Sequence, residues 1–239
     1  MKLADMKIGT RLMLAFGIIL AMLATISIVG ITRIYSLDTS IESMVNDRFP
    51  KTVQANNMID SINSIARHLR NAYIYSGAEQ QKSLDAIAPE RKIISEMLDK
   101  LSATVKSEKG KSILKELTDA RAAYVTTQDK FLELLKADKK SEIVSLMQGD
   151  LRKAQGDYLA ATNKLIEFQT AAMEKTGKEA EAAANSAALI LEVVSAIAVV
   201  LTVLFAWLIS RSITRPLTQA VAVADAMAAG DLSKKIDAS

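Results

Sequence analysis

The sequence predicts an all-α protein in which two transmembrane helices flank an antiparallel up-down four-helix bundle and a short coiled-coil helix follows the second span. Three observations carry this expectation. Leu12–Thr32 and Val193–Ser210 contain no charged residue. Ala, Leu, Lys, Glu and Gln dominate the interval between them, where Pro50 and Pro89 are the only prolines. Apolar residues in that interval recur at steps of three and four, the spacing that places side chains on one helical face.

The first uncharged run, at ~1.5 Å per residue, makes a helix of about 31 Å, which matches the hydrocarbon thickness of a bilayer. A cleaved signal peptide is the alternative. The run is longer than the ~7–15 apolar residues of a signal core, and no small-x-small cleavage site follows it, so an anchor is the expectation. The second run is preceded by apolar Ala187–Leu191 and carries Trp207 near its end, where an amphipathic ring sits at headgroup level. Lys2, Lys7 and Arg11 precede the first span, and Arg211 and Arg215 follow the second. By the positive-inside rule both ends face the cytoplasm and the intervening segment is exported. The expected organisation is a tail over 1–11, spans over 12–32 and 189–210, a bundle over 33–188 and a cytoplasmic remnant over 211–239. With no cysteine, no disulfide holds the bundle, so apolar burial and dimerisation must stabilise it. A net charge of +3, without basic-aromatic clusters, gives no footprint for nucleic acid.

Within the exported segment, Met58, Ile59, Ile62, Ile65, Ala66, Leu69 and Ala72 form the stripe of a first helix running to about Ser76, with Gly77 as its stop and a possible kink at Pro50. A second helix carries the sharpest repeat: Leu84, Ile87, Arg91, Ile94, Leu98, Leu101 and Val105, the seam of a left-handed bundle. Lys106–Lys111, with Gly110 inside it, reads as a turn. A third helix presents Ile113, Leu117, Ala120, Tyr124, Phe131 and Leu134. A fourth begins after Ala137–Ser141, and its stripe of Leu151, Ala154, Tyr158, Ala161, Leu165, Phe168 and Ala172 leads through Ala-rich 180–188 into the second span. First and last bundle helices are thus continuous with the spans, so a change in their packing moves a span directly. That suits signalling; a plain structural bundle on a membrane hairpin is the alternative.

Beyond Ser210 a proline, Pro216, stands one turn below the membrane exit, Ile213, Leu217, Ala220, Ala224 and Met227 fall at heptad steps, and Ala229-Gly230-Asp231-Leu232 ends the helix. This resembles the first half of a HAMP linker, the parallel four-helix relay below bacterial sensor spans. The second HAMP helix is expected to lie past Ser239. At the other end, Met6-Lys7-Ile8-Gly9-Thr10-Arg11-Leu12 followed by Ala15-Phe16-Gly17 resembles the opening of methyl-accepting chemotaxis proteins with a four-helix-bundle sensor domain. The resemblance covers the whole chain and is strongest at its two ends. It implies a homodimer in the bacterial inner membrane, in contact with lipid, whose periplasmic bundle binds a small attractant or repellent. It also implies relay through HAMP to a cytoplasmic chemotaxis kinase and its adaptor. Sensor histidine kinases and cyclic-dinucleotide enzymes carry the same front end, so the output rests on resemblance.

No catalytic constellation is legible: the chain has one histidine, no cysteine, no phosphate-cradling glycine loop and no acidic cluster at metal spacing. The expectation is a receptor and not an enzyme, with no cofactor and no metal. His68 beside two arginines reads as a solvated residue. Arg91 occupies a seam otherwise apolar; a buried guanidinium needs a bundle carboxylate, a polar pocket or an anionic ligand, unless it snorkels to water at the bundle's end. Arg67 and Arg70 lie about 150° and about 90° from the centre of the first stripe, at ~100° per residue. They are either solvated or ligand contacts. The family resemblance puts ligand-reaching arginines in this stretch of the first helix, although the spacing of Arg67 and Arg70 differs from the family's. On the third helix Arg121, Tyr124 and Gln128 form one line at the edge of the core face, a set of donors suited to carboxylates, with Tyr124 alone readable as a core aromatic. Thr162 is the candidate for closing the site from the fourth helix. The expected ligand is a small organic anion, an amino acid or a di- or tricarboxylate, in the upper third of the bundle. A receptor that docks a periplasmic binding protein is the rival reading.

Overall fold

The computed structural model describes residues 7–228; Lys2, Met6 and the Gly230 connector singled out above lie outside them. Every regular element among the described residues is helical. The chain divides into two compact units, 38–179, and 1–37 with 180–239.

In the larger unit, the first bundle helix is α2 (Phe49–Ile74). The long helix α1 (Ile8–Glu42) leads to it through a π turn, Ser43–Arg48. Pro50 explains that turn. Proline has no N–H to return to the carbonyl four residues back, and the Phe49 N–H reaches five residues back, to the Met44 carbonyl. The kink expected at Pro50 is therefore taken up one turn earlier, without ending the helix.

Helix α2 stops at Ile74 and not at Ser76. Tyr75 and Ser76 are extended, and Gly77, at φ +63°, opens the short helix α3 (Gly77–Asp85) where it was expected only to close α2. A positive φ costs glycine nothing, and it lets the chain reverse within three residues. After Ala86, α4 (Ile87–Thr104) completes the second leg, with Pro89 in its first turn, where its missing N–H breaks no bond. The seam lands as read: Ile87, Ile94, Leu98, Leu101 and Val105 are buried, Leu84 is partly buried, and Arg91 is half-buried among them.

The next turn is shorter than the sequence suggested. Ser107 caps α5 (Glu108–Lys136) by accepting the Gly110 N–H at 3.2 Å, so Gly110 belongs to the helix's first turn and not to a loop. Glycine is required there by space. A Cβ would lie 2.6 Å from Val105 Cγ1, 2.8 Å from Ser107 Oγ and 3.3 Å from Phe168 Cε1. The fourth leg is α6 (Lys140–Gln148), a break at Gly149, and α7 (Asp150–Ile209).

The four legs enclose one core in which Met58, Ile62, Ile65, Leu101, Leu117, Phe131 and Leu165 are almost wholly out of water. Each such side chain contributes about 1.5–3 kcal/mol relative to exposure. With no disulfide, this burial is the main source of the unit's stability.

In the smaller unit, α1 and α7 each contain a segment long and apolar enough to cross a membrane. Most of their large apolar side chains are exposed, while small Ala15 and Ala187 are buried. Small residues are what allow helix backbones to approach in a bilayer. Arg211 lies over the Trp207 ring, 5.5 Å from its centre. A second π turn, Ser210–Thr214, precedes α8 (Arg215–Ala228). Of the expected heptad, Leu217, Ala220, Ala224 and Met227 are exposed, while Val223 of α8 is buried.

Candidate functional site

Two polar groupings occupy the bundle, and they divide the residues expected to act together. The first joins α4 to α5. The Arg91 Nε donates to Gln128 Oε1 and a terminal nitrogen to Asp129 Oδ1, both at 2.8 Å. One turn along, Arg121 donates to Ser95 Oγ at 2.5 Å, and the Ser95 hydroxyl donates to the Arg91 carbonyl at 2.9 Å. The seam arginine thus has a carboxylate of its own. The bundle answers the need for an anion internally, with Asp129, a residue absent from the sequence reading because it lies one step beyond the line of Arg121, Tyr124 and Gln128.

The second grouping surrounds a cleft of about 350 Å³. Helix α2 supplies Ala66, Leu69 and Arg70, α5 supplies Tyr124, and α7 supplies Arg152 and Gln155 opposite them. Arg70 and Arg152 are both exposed, and neither is hydrogen-bonded or ion-paired among the described residues. Gln155 is steadied by donating to Asn63 Oδ1 across the α2–α7 contact at 3.3 Å.

Tyr124 is 1% exposed and its hydroxyl has no hydrogen-bond partner. Its ring is tilted 50° to that of Tyr158, with centres 6.1 Å apart, and the Tyr158 hydroxyl is equally buried and unpartnered. Burial pushes both phenols well above their ordinary range; the charge of Arg91 offsets this slightly at Tyr124, and that of Arg121 at Tyr158. Both stay neutral donors at any physiological pH.

Of the expected site residues, the structure brings Arg70 and Tyr124 to the cleft. Arg91, Arg121 and Gln128 lie in the α4–α5 grouping instead. Arg67 is exposed and does not line the cleft. Thr162 is fully buried, its hydroxyl given to the Tyr158 carbonyl at 2.8 Å, as a helical threonine commonly does. His68 meets Ser64 at 3.3 Å. Arg152 and Gln155 were missed. Each directly follows a member of the α7 stripe, Leu151 or Ala154, and adjacency to a core position was the signal available. No group of histidine, cysteine, aspartate and glutamate that could hold a metal occurs among the described residues.

Residues 5–184 match the family described as the four helix bundle sensory module for signal transduction. The chain belongs to that family. Residues 208–239 match the HAMP domain, so the resemblance read from the two ends of the sequence is borne out. A "Putative sensory transducer protein" of Acetivibrio thermocellus is 25% identical over 165 residues, which cover 69% of this chain. The chain spans 30% of that relative's length. No solved structure matches it. This four-helix-bundle sensory module, joined to a HAMP domain, is a signal-transducing receptor element with two candidate membrane-spanning helices.

Proposed function

We propose that this sensory module is the front end of a chemoreceptor and binds a small organic anion, an amino acid or a di- or tricarboxylate, in the cleft between α2, α5 and α7. One observation supports this above the others: two guanidinium groups without carboxylate partners flank a cleft that also holds a buried phenol with no acceptor. A carboxylate satisfies all three, because guanidinium pairs with it through two parallel hydrogen bonds and a neutral phenol donates one more. The cleft volume lies at the low end of the ~300–1,000 Å³ range of ligand pockets, which favours a small metabolite.

In this proposal the bundle, 33–188, is periplasmic, the spans cover 12–32 and 189–210, and both termini face the cytoplasm, as the basic flanks Lys7, Arg11 and Arg211 favour. The cleft walls belong to the first and last legs of the bundle, so an anion bridging Arg70 and Arg152 draws α2 and α7 together. The change passes along α7 to the HAMP domain and then to a chemotaxis kinase. The exposed heptad of α8 supports a homodimer, since a second copy is what such a seam packs against.

The test is a thermal-shift and calorimetric screen of the full chain in detergent against amino acids and organic acids. A ligand at 100 times its Kd stabilises the native state by about 2.7 kcal/mol. Arg70→Gln and Arg152→Gln are each expected to abolish the rise. If no anion shifts the melting point, the proposal fails and docking of a binding protein takes its place.

A further inference from the structure

A second cavity, of about 250 Å³, lies in the bundle far from the cleft, where the first turns of α2 meet the α4–α5 turn and the Phe168 region of α7. Its lining is cationic: Arg48, Lys51 and Lys106 against one carboxylate, Asp47. Lys51 is 6% exposed and already ion-paired with Asp47. That pairing leaves the charge of Arg48 and Lys106 uncompensated, and Lys106 has no ion pair among the described residues. The Arg48 Nε is buried and has no hydrogen-bond acceptor.

A buried guanidinium N–H without an acceptor is costly, and a wall carrying two uncompensated positive charges repels any cation that would otherwise fill the space. Ser107 adds a hydroxyl. Its oxygen accepts from Gly110, which leaves its own proton to give. The cavity is smaller than the ~300 Å³ at which pockets for drug-sized ligands begin.

We propose that this cavity is a separate oxyanion site that takes a phosphate group. Donors reach it from three elements: Arg48 from the π turn, Lys51 from α2, and Lys106 with Ser107 from the α4–α5 turn. Donors that converge from three elements and several directions suit the tetrahedral array of phosphate oxygens. The occupant ties the start of α2 to the α4–α5 turn, beside Phe168 of α7.

Calorimetric titration of the full chain in detergent with inorganic phosphate tests this. Saturable binding is expected, weakened ~10-fold or more by Arg48→Gln and by Lys106→Gln, since each removes a charge-assisted hydrogen bond. Lys106 is exposed in a turn, so its variant reports on the site even if Arg48→Gln fails to fold. Arg152→Gln is expected to leave phosphate binding unchanged, which separates this site from the organic-anion cleft. Competition by phosphatidylglycerol vesicles assigns the phosphate to a lipid headgroup, and no competition assigns it to the free ion; the site stands in both cases. Absence of saturable binding, or binding indifferent to both Arg48→Gln and Lys106→Gln, overturns it.

Discussion

Replacing Tyr124 by phenylalanine removes one oxygen atom, one that is buried and makes no hydrogen bond. A hydroxyl held out of water without a partner costs about 1–3 kcal/mol on protein mutational scales. Its removal returns part of that and forfeits a few dispersion contacts. The net expectation is a gain of about 1 kcal/mol for the unliganded protein. For a unit of residues 38–179, whose unfolding entropy is ~2.1 cal/mol/K per residue, this raises the melting temperature by about 3 °C. The same variant loses a donor to the proposed anion, worth about 1.5–3 kcal/mol, so Kd weakens about ten- to hundredfold. Tyr158→Phe is the control. Its hydroxyl is equally buried and unpartnered but does not line the cleft, so it is expected to stabilise by a similar amount and leave ligand affinity unchanged. Differential scanning fluorimetry of the three proteins, with and without ligand, gives all the quantities. A Tyr124→Phe protein that melts below the wild type would refute the reasoning, because the hydroxyl would then have a partner that the structure lacks.

The two phenols also set the alkaline limit of stability. Burial raises both above the ordinary value of ~10, so the unfolded chain ionises first; their contribution is complete below pH ~10 and is lost at about 1.4 kcal/mol per phenol for each pH unit above it. In either Tyr→Phe variant the loss is about halved, measurable as an unfolding midpoint at higher pH. Gly110→Ala gains helix propensity, ~1 kcal/mol at most, but drives a methyl against Val105, Ser107 and Phe168. A net loss of about 1–2 kcal/mol is expected in chemical denaturation, and an unchanged midpoint would show that Val105 can move aside. Arg91→Ala leaves the buried Gln128 carbonyl oxygen unpartnered and removes an apolar stem from the seam, a cost of about 1–3 kcal/mol, whereas Asp129→Asn, at the exposed end of the same pair, costs under ~1 kcal/mol. Equal losses in the two variants would place the energy in the ion pair instead.

The bundle was legible because its core repeats are long and clean. Steps of three and four over Leu84–Val105 fix which face of that leg is buried without reference to any neighbour. The irregular points were read less well. Gly77 and Gly110 both read as punctuation in the sequence, yet one opens a helix by its positive φ and the other sits in the first turn of a helix, where Val105 Cγ1 and Ser107 Oγ leave no room for a Cβ. Residue spacing carries no information about how closely the preceding turn folds back on a helix start. The candidate site was half legible for a related reason. Arg70 announces itself by flanking its stripe, and Tyr124 by carrying a hydroxyl within its own. Periodicity gives a helix's buried face, but it does not say which flank of α7 turns toward α2, so Arg152 and Gln155 stayed hidden. The need of Arg91 for an anion was likewise evident from its seam position, while Asp129 as the answer required the packing of α4 against α5.

The two π turns share a position relative to proline: Ser43–Arg48 ends two residues before Pro50, and Ser210–Thr214 ends two residues before Pro216. A π turn holds one residue more than the α turn it replaces. In terms of chain length, each is a place where an insertion has already been absorbed. Deleting one residue inside Ser43–Arg48 would therefore remove the turn's extra residue and leave α2 facing its core as before, at the cost of setting Pro50 in a continuous α-helix. A deletion within α2 itself would rotate everything beyond it by ~100° and turn Ile62, Ile65 and Leu69 out of the bundle. Tolerance to a change in length is thus concentrated in two short stretches of an otherwise rigidly counted chain, and a register-altering change is absorbed first at those two joints.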